Sequence, residues 1–282
     1  MIFWIASYPK SGNTWMRALL SAYFFSEDGV FNQNLLKNIS QFPQKKFLEE
    51  FNYNPKIPAD TSKIWIKAQE KINLNNKINF FKTHNILGSI NGNEFTNSRN
   101  TIGCIYIIRD PRNVITSLKN HYELNYKEAL DFMKNDRKYI YDYNLKDDFS
   151  DFQLISSWAN NYKSWKNQNF IKVKIIKYED LLKKTYVIFK EVIEFINLIS
   201  GFKKNFEKQK ALNSINSTSF SKLSEMEKKK GFEEAILSKN NNVKIPFFYL
   251  GKNNDWKKII NKDFQKEINT EFNASLNELS YI

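Results

Sequence analysis

Short apolar runs and stretches of helical periodicity alternate along this chain. The runs at residues 2–8, 78–82, 102–108 and 173–178 are rich in β-branched and aromatic side chains. Runs of this length and composition are typical of strands that are buried on both faces, as in a parallel sheet. Polar residues follow each run, so the pattern predicts four strands that each end in a loop or at a helix.

Helical spacing of apolar residues appears between these runs and predicts helices. Asp110 and Pro111 also suit the N-cap and first position of the helix that follows residue 109. The predicted apolar stripes are Trp15, Ala18, Leu19, Ala22 and Tyr23; Val114, Leu118 and Tyr122; Phe152, Ile155, Ala159, Tyr162 and Trp165; Phe189, Ile193 and Ile196; and Phe264, Ile268, Phe272, Leu276 and Leu279.

The alternation of strands and helices predicts the fold class. It favours one α/β domain over residues 1–282, with three layers and a central parallel sheet flanked by helices. Residues 31–63 contain three prolines and no single period, so they are predicted to be irregular, with short helices, and a candidate cap over a site. Residues 85–100 are predicted to be a loop, and residues 200–255 to be long loops around one or two helices.

Charge and composition then limit the classes of partner. Lys and Arg number 43 against 30 Asp and Glu, a net charge of +13. This excess predicts an anionic partner, and nucleic acid, a membrane surface and a phosphorylated small molecule all satisfy it. The hydrophobic fraction of 41% and the aromatic fraction of 16% exclude a disordered chain.

The cysteine and histidine content argues against several kinds of site. Cys104 is the single cysteine, which excludes an intramolecular disulfide and a cysteine-based zinc cluster. With two histidines in the chain, a multi-histidine metal site is also disfavoured. The N-terminus has neither a basic segment nor a long apolar stretch, so no signal peptide or transmembrane helix is predicted, and a cytoplasmic protein is expected.

The loop at residues 8–15 is the first segment that could carry chemistry. A glycine-containing turn between a buried strand and a helix offers backbone N–H groups and the positive end of the helix dipole to an anion. Lys10 adds a positive charge and Thr14 a hydroxyl. The alternative is a plain strand-to-helix turn capped by Ser11 or Thr14. The Walker order of Gly-Lys-Ser/Thr is absent, because the lysine precedes the glycine.

Two further segments place polar residues at strand ends. Arg109 ends the predicted strand 102–108, where open parallel sheets bind ligands, and Ser117 lies two turns along the next helix. Arg109 suits a bidentate contact with phosphate; the alternative is that Arg109 pairs with Asp110 or another acid and that Ser117 is incidental. Lys82 and His84 end the strand 78–82, where histidine could act as a general base; a structural histidine is the alternative.

These segments resemble the donor-binding motifs of sulfotransferases that use 3′-phosphoadenosine 5′-phosphosulfate (PAPS). Residues 8–15, Tyr-Pro-Lys-Ser-Gly-Asn-Thr-Trp, resemble the loop that binds the 5′-phosphosulfate. Residues 109–117 resemble the 3′-phosphate motif, with Arg and Ser at the family's separation. Lys-Thr-His at residues 82–84 resembles the catalytic motif of the cytosolic type.

Three later segments resemble the same family in the same order. Residues 178–181 resemble the Tyr-Glu-Asp segment near the adenine, and residues 218–220 resemble a later adenine-side element. Residues 254–257 resemble the C-terminal Gly-Asp-Trp-Lys element. The matches therefore run from residue 8 to residue 257 in family order, which is far more specific than any one motif.

The resemblance implies a role for each matched residue. By this resemblance, the 5′-phosphosulfate is bound by Ser11, Gly12, Asn13 and Thr14, and Trp15 stacks near the adenine. The 3′-phosphate is bound by Arg109 and Ser117. The adenine pocket is lined by Tyr178, Thr218 and Phe220. Lys10 stabilises the leaving oxygen, Lys82 helps to bind the sulfuryl group, and His84 removes the acceptor's proton. Gly251 and Lys252 belong to the C-terminal phosphate loop. No metal is required.

The C-terminal element departs from the family pattern. Tyr249 stands where the family usually carries arginine, and Asn254 stands where it carries glycine. A 3′-phosphate contact from this loop is therefore in doubt, and Lys252 is the candidate replacement. The animal-type dimer motif is not evident, so no oligomeric state is predicted.

The sequence thus predicts an enzyme that transfers the sulfuryl group of PAPS in line to a hydroxyl of a small molecule, sugar or lipid, leaving the nucleotide product PAP. A basic nucleic-acid- or membrane-binding protein and a nucleoside or sugar kinase are the alternatives. The dispersed lysines disfavour the first alternative, and no nucleic-acid partner is expected. The missing Gly-Lys-Ser/Thr order disfavours the second. The acceptor pocket is expected from residues 31–63, 85–100, 123–150 and 225–248.

Overall fold

A parallel sheet of five strands forms the centre of the protein. The computed structural model describes residues 1–142, 146–201, 205–238, 241 and 243–282. The strands are β1 (Ile2–Ser7), β2 (Ser40–Gln41), β3 (Asn79–Thr83), β4 (Ser89–Ile90), β5 (Asn93–Glu94), β6 (Thr101–Ile108), β7 (Tyr139–Ile140), β8 (Gln153–Leu154) and β9 (Lys172–Lys177). The central sheet has the order β2-β3-β1-β6-β9, while β4 pairs with β5 and β7 with β8 in short antiparallel hairpins.

Helices cover both faces of this sheet. They are α1 (Asn13–Phe25), α2 (Trp65–Asn73), α3 (Pro111–Tyr122), α4 (Tyr126–Lys134), α5 (Trp158–Lys166), α6 (Tyr178–Lys183), α7 (Thr185–Ser200), α8 (Lys208–Ser217), α9 (Phe220–Lys230), α10 (Trp256–Ile259), α11 (Lys262–Glu271) and α12 (Asn273–Glu278). Short 3-10 helices lie at Gln33–Asn38, Lys45–Phe47, Asp60–Ile64 and Gly251–Asn253.

Strand β1 shows why the protein has three layers. All of its residues are buried, and successive side chains point to opposite faces of the sheet. Phe3 and Ile5 belong to the core that packs against α1 and α7, whereas Trp4 and Ala6 belong to the core on the other face. A strand that is apolar on both faces is stable only with a layer on each side, so the predicted α/β class with a parallel sheet is confirmed.

The structure departs from the periodicity in two helices. The stripe from Phe152 to Trp165 predicted one helix, but residues 153–154 form strand β8 and the helix begins at Trp158. The hydroxyl of Ser157 accepts the N–H of Asn160 and so caps the helix there. The C-terminal stripe likewise forms two helices, α11 and α12, which meet at Phe272.

The long polar segments contain more regular structure than their patterns predicted. Residues 31–63 contain the predicted short helices, but β2 within them was not predicted. No helix was predicted between residues 123 and 150, yet α4 begins there at a capping box of Asn125 and Glu128. The parts of the predicted segments at residues 143–145, 202–204, 239–240 and 242 lie outside the described residues.

The topology brings the chemistry-bearing segments to one edge of the sheet. Because β1, β3 and β6 are parallel neighbours, their carboxyl ends meet at that edge. The loop after Ser7, the segment after Thr83 and Arg109 therefore lie side by side. This is the edge where open parallel sheets bind ligands.

Candidate active site

The loop between β1 and α1 exposes the start of the helix to a ligand. Gly12 is the N-cap residue at φ 100°, a left-handed conformation that favours glycine, and it makes no side-chain capping bond. Neither Ser11 nor Thr14 caps the helix, so the alternative of a plain capped turn is wrong. The Asn13 amide donates to the Ile5 carbonyl at 2.9 Å, which ties the loop to β1.

Gly12 also lies directly beneath the ring of Tyr178. A Cβ atom at Gly12 would lie 2.5 Å from a Tyr178 ring carbon, so no other residue fits here without a shift. The Tyr178 ring meets the edge of Trp15 at 5.9 Å between ring centroids. The sequence predicted both rings for the adenine side of the site, and the structure places them together.

Arg109 reaches this loop from the end of β6. One guanidinium nitrogen donates to the Lys10 carbonyl at 2.9 Å and to Ser117 Oγ at 3.3 Å. Its guanidinium also stacks 4.3 Å from the centroid of the Tyr178 ring. Arg109 forms no ion pair with any described residue, and its buried Nε has no hydrogen-bond partner there.

Asp110, the alternative partner of Arg109, is occupied by another arginine. Its two carboxylate oxygens accept from Arg112, at 2.8 Å and 2.9 Å for the closest pairs. Both side chains are buried. The predicted alternative of an Arg109–Asp110 pair is therefore wrong, and the guanidinium of Arg109 keeps donor capacity for an anion.

The C-terminal element docks onto the same corner. The amide of Asn254 donates to Ser117 Oγ at 2.9 Å and to the Asn113 carbonyl at 3.0 Å, while its oxygen accepts from Thr116. This side chain, a departure from the family pattern, thus anchors the element to α3 beside Arg109. Nearby, Gly251 packs on Phe220, where an added Cβ would lie 2.7 Å from the ring.

His84 follows β3 with its ring fixed by β1. Nδ1 lies 2.7 Å from the Ser7 carbonyl, and because a carbonyl only accepts, we assign the ring proton to Nδ1. Nε2 is then the unprotonated nitrogen of a neutral ring. Burial and then the nearby Lys82 charge lower the pKa of His84 to about 3, so the ring is neutral at pH 7. A neutral imidazole with a free Nε2 is the form required of a general base.

Lys10 is a cation without a counter-charge in contact. Its backbone has φ 64°, and its ammonium lies 3.6 Å from the centroid of the Phe247 ring. Burial lowers its pKa to about 7, against the opposing attraction of Glu234. Lys10 forms no salt bridge with any described residue. A bound anionic ligand would therefore raise its pKa and favour its ammonium form.

Lys82 and Arg17 meet at the carboxylate of Glu234, which was not among the predicted site residues. Lys82 Nζ lies 3.1 Å from Glu234, and the Arg17 guanidinium forms an ion pair with the same carboxylate. Thr14 Oγ1 donates to it at 2.8 Å. No local signal marks Glu234, because it lies far along the chain in a turn after α9. Arg17 could have been found by its position one turn beyond Asn13 in α1.

One cavity of about 1140 Å³ joins these groups. Most of the predicted site residues line it, namely Lys10, Gly12, Asn13, Thr14, Trp15, Lys82, His84, Arg109, Ser117, Tyr178, Phe220, Gly251 and Lys252. Two do not. The buried Thr218 hydroxyl donates to the Ser214 carbonyl within α8, and Ser11 lies behind the cavity wall.

The opposite end of the cavity is formed by less distinctive segments. Phe132, Ile140, Tyr141 and Asp151 line it. Residues 33–46, 122–142 and 232–250 contribute to the lining of the whole cavity and overlap three of the segments expected to form the acceptor pocket, whereas residues 85–100 do not line it. Asp151 is 8% exposed, and burial raises the pKa of its carboxyl to about 6.

Several buried polar atoms near the loop have no partner among the described residues. Those on residues that line the cavity include Asn13 Oδ1, Trp15 Nε1 and Arg109 Nε. Most buried polar groups in proteins are hydrogen-bonded, so unsatisfied ones that cluster at a cavity indicate a place for a polar ligand. Together with Lys10, Lys82 and Arg109, they form a site suited to an anion with several negative charges.

Comparison with known proteins decides the family. The family model described as the sulfotransferase domain matches residues 2–280. The chain belongs to the sulfotransferase family. Its predicted family and class of enzyme are thereby confirmed, and the nucleoside-kinase and non-catalytic alternatives are wrong.

Solved sulfotransferase-fold structures resemble this sulfotransferase in architecture. A retinol dehydratase, solved with androsterone and inactive PAP, has a TM-score of 0.60 and 16% identity, covering 98% of this chain and 80% of that one. The same enzyme with retinol and PAP has a TM-score of 0.60 and 17% identity, covering 98% and 81%. Mouse sulfotransferase SULT7A1 complexed with PAP has a TM-score of 0.52 and 16% identity, covering 98% and 83%.

Three further findings concern the sequence matches, the helices and the metal-binding side chains. No curated protein matches the sequence of this sulfotransferase. Among its described residues, no helix has both the length and the apolar character needed to cross a membrane. In the same residues, no cluster of three or more His, Cys, Asp or Glu side chains could hold a metal ion.

Proposed function

We propose that this sulfotransferase uses PAPS as donor and transfers its sulfuryl group to a hydroxyl of the acceptor. The observation that carries the proposal is the single cavity in which Lys10, Lys82, Arg109 and His84 meet. The unpartnered polar atoms beside them fit a donor that carries phosphate and base. The neighbouring structures that contain PAP have the same fold, which further supports this donor.

The residues divide the work in the following way. Arg109 and Ser117 hold the 3′-phosphate, Gly12 and Thr14 hold the 5′ end, and Trp15 and Tyr178 face the adenine. Guanidinium groups and helix N-termini are both suited to phosphate oxygens. Phe220, Gly251 and Lys252 close the nucleotide end of the cavity.

The transfer itself is an in-line displacement at sulfur. His84 Nε2 takes the proton of the acceptor hydroxyl while the acceptor oxygen bonds to sulfur. The bond between sulfur and the bridging oxygen breaks, and its electron pair stays on the oxygen of PAP. Lys10 stabilises that oxygen, and Lys82 stabilises the sulfuryl oxygens. Sulfuryl transfer, like phosphoryl transfer, depends on positioning and charge stabilisation of this kind. The hydroxyl acceptor and the cytoplasmic location remain predictions.

Calorimetric titration with PAP tests the donor. The wild-type protein is expected to bind PAP with micromolar affinity, and Arg109→Ala is expected to weaken binding by about 2–4 kcal/mol, as for loss of a buried charge-assisted contact. Arg99→Ala is the matched control, because Arg99 is exposed. Absence of PAP binding, combined with tight and salt-dependent binding to DNA or liposomes, would refute the proposal.

A further inference from the structure

A carboxylate of this chain occupies the cationic end of the donor site. Glu234 lies in the turn after α9, far from the site in sequence. It accepts a hydrogen bond from Thr14 at 2.8 Å, lies 3.1 Å from Lys82 Nζ, and forms an ion pair with Arg17. Three groups from α1 and β3 thus converge on one anion.

This carboxylate is ionised in its surroundings. Burial alone raises its pKa, but the charges of Lys82 and then Arg17, with the Thr14 hydrogen bond, outweigh burial and bring the pKa of Glu234 well below its usual range. The Glu234 side chain is 23% exposed, whereas those of Lys82 and Arg17 are 7% and 8% exposed. Lys82, Arg17 and Glu234 all line the cavity, and the carboxylate is more exposed than the two cations it contacts.

The rest of the segment that carries Glu234 also covers the donor site. Phe232 and Phe247 pack together at 5.0 Å between ring centroids, and Phe247 lies over the ammonium of Lys10. The N–H groups of Phe247 and Phe248 donate to Glu227 of α9. The segment is therefore fastened to α9 at one point and to the site by Glu234.

We propose that Glu234 is an internal anion of the donor site. Its carboxylate takes the place of the sulfuryl end of PAPS on Thr14, Arg17 and Lys82, and PAPS must expel it in order to bind. The inference rests on the proposed function, which assigns the 5′ end of the donor to Thr14 and the sulfuryl group to Lys82. It adds Arg17 to that set, because the guanidinium shares the same carboxylate.

The Glu234 carboxylate has two distinct effects on the protein. Without donor, Glu234 neutralises buried cations that would otherwise repel one another, so it stabilises the fold. With donor, the sulfuryl group supplies the same negative charge, and Glu234 no longer contributes. Removal of the carboxylate should therefore destabilise the free protein more than the complex, which by linkage strengthens donor binding.

Titration of PAPS without acceptor, at pH 6.5, tests the proposal with three variants. Glu234→Gln is expected to bind PAPS about tenfold or more tightly than wild type, because charge-assisted contacts no longer compete. Glu233→Gln removes the same charge from the exposed neighbouring residue and is expected to bind as wild type does. Glu234→Asp keeps the charge but shortens the reach, so its affinity should exceed that of wild type.

Two results would overturn the proposal. One is equal or weaker PAPS binding by Glu234→Gln. The other is an identical gain in Glu234→Gln and Glu233→Gln with none in Glu234→Asp, which would show a general effect of charge. Failure of wild type to bind PAP or PAPS at all would instead reject the proposed function, so the two failures are distinguishable.

Thermal unfolding gives an independent measurement. Without donor, Glu234→Gln should have a lower Tm than wild type, and saturating PAPS should narrow the difference. A purely structural role for Glu234 would leave the difference in Tm unchanged by PAPS, and that outcome contradicts the proposal.

Discussion

The two ends of the cavity are constructed in different ways. At the proposed donor end, side chains are fixed by backbone carbonyls of β1 and the loop after it: Asn13 donates to Ile5, Arg109 to Lys10, and His84 to Ser7. At the proposed acceptor end, the wall comes from α4 and the short β7–β8 hairpin, with Phe132 and Asp151 lining the cavity. Precise geometry is thus concentrated where bond breaking is proposed, and the other end is a shaped surface.

Each end nevertheless keeps a buried charge without an ion-pair partner among the described residues. Burial lowers the pKa of Lys10 to about 7 and raises that of Asp151 to about 6. Both shifts mean that the charged form is disfavoured in the folded protein. Sites that retain such groups at a cost in stability are commonly functional, so the comparison can be tested residue by residue.

Replacement of His84 should give the largest effect. His84→Ala is expected to lower turnover about 10²- to 10⁴-fold, the range for loss of a general base, with PAP affinity nearly unchanged. Transfer from labelled PAPS, with an acceptor found by screening, measures turnover, and calorimetry measures PAP binding. Full activity in His84→Ala would move the base to another group, with Asp151 at the other end of the cavity as the first candidate.

Replacement of Lys10 should lower turnover, because the negative charge on the leaving oxygen loses its partner and the barrier rises by about a few kcal/mol.

Lys10 should also make PAP binding depend on pH. With a pKa of about 7, Lys10 is mostly neutral at pH 8, and an anionic ligand favours its ammonium form. PAP binding at pH 8 should therefore take up a proton, and PAP affinity should fall as pH rises from 7 to 9.

Calorimetry in buffers of different ionisation enthalpy measures that proton uptake. Lys10→Met is expected to remove most of it, whereas Lys252→Met, at an exposed cavity residue, should retain it. Equal uptake in wild type and Lys10→Met would assign the proton to a different group.

Replacement of Asp151 should give the smallest effect, and it should increase the stability of the protein rather than reduce a function. Its folded pKa of about 6 exceeds the unfolded value of 3.8. The contribution of Asp151 to the free energy of unfolding is therefore fully present below pH 4 and is lost as pH rises through 6. Asp151→Asn removes this loss and should stabilise the protein by about 1–3 kcal/mol at pH 7, with no gain at pH 4 or below.

Chemical denaturation at both pH values measures the Asp151 effect. The Asn amide oxygen can still accept from the N–H of Asp142, as the carboxylate does at 2.9 Å. Asp131→Asn is the control, because Asp131 is exposed on α4. A gain at pH 7 that persists unchanged at pH 4 would rule out ionisation as its cause.

The sequence predicted which residues meet at the carboxyl ends of the strands, but it did not identify the individual residues at the opposite end of the cavity, for physical reasons. Gly12, Arg109 and His84 follow apolar runs, and topology alone then requires that they meet at one edge of the sheet. Nothing so local restricts Phe132 or Ile140, whose side chains also satisfy a helix or strand in a core. Their place in the cavity depends on tertiary packing that no spacing reveals.

Local and tertiary contacts explain where the structure departs from the individual predictions. Thr218 matched a motif, but its hydroxyl bonds within α8 and turns away from the cavity. The stripe from Phe152 to Trp165 had helical spacing, yet pairing of Gln153 and Leu154 with β7 took its first residues into a strand. No sequence pattern distinguishes Glu234 from the other acidic residues, and its contact with Lys82 arises only in the folded protein.

The carboxylate on Lys82 has a consequence for small ions in solution. A group tethered to the chain competes at an effective concentration on the order of millimolar or higher. Free sulfate or phosphate, which offers one anionic centre, must exceed that level to enter. A nucleotide gains extra contacts at Arg109 and Tyr178 and displaces the tethered group at far lower concentration. Glu234 would thus act as a threshold that rejects simple inorganic anions while it admits the donor.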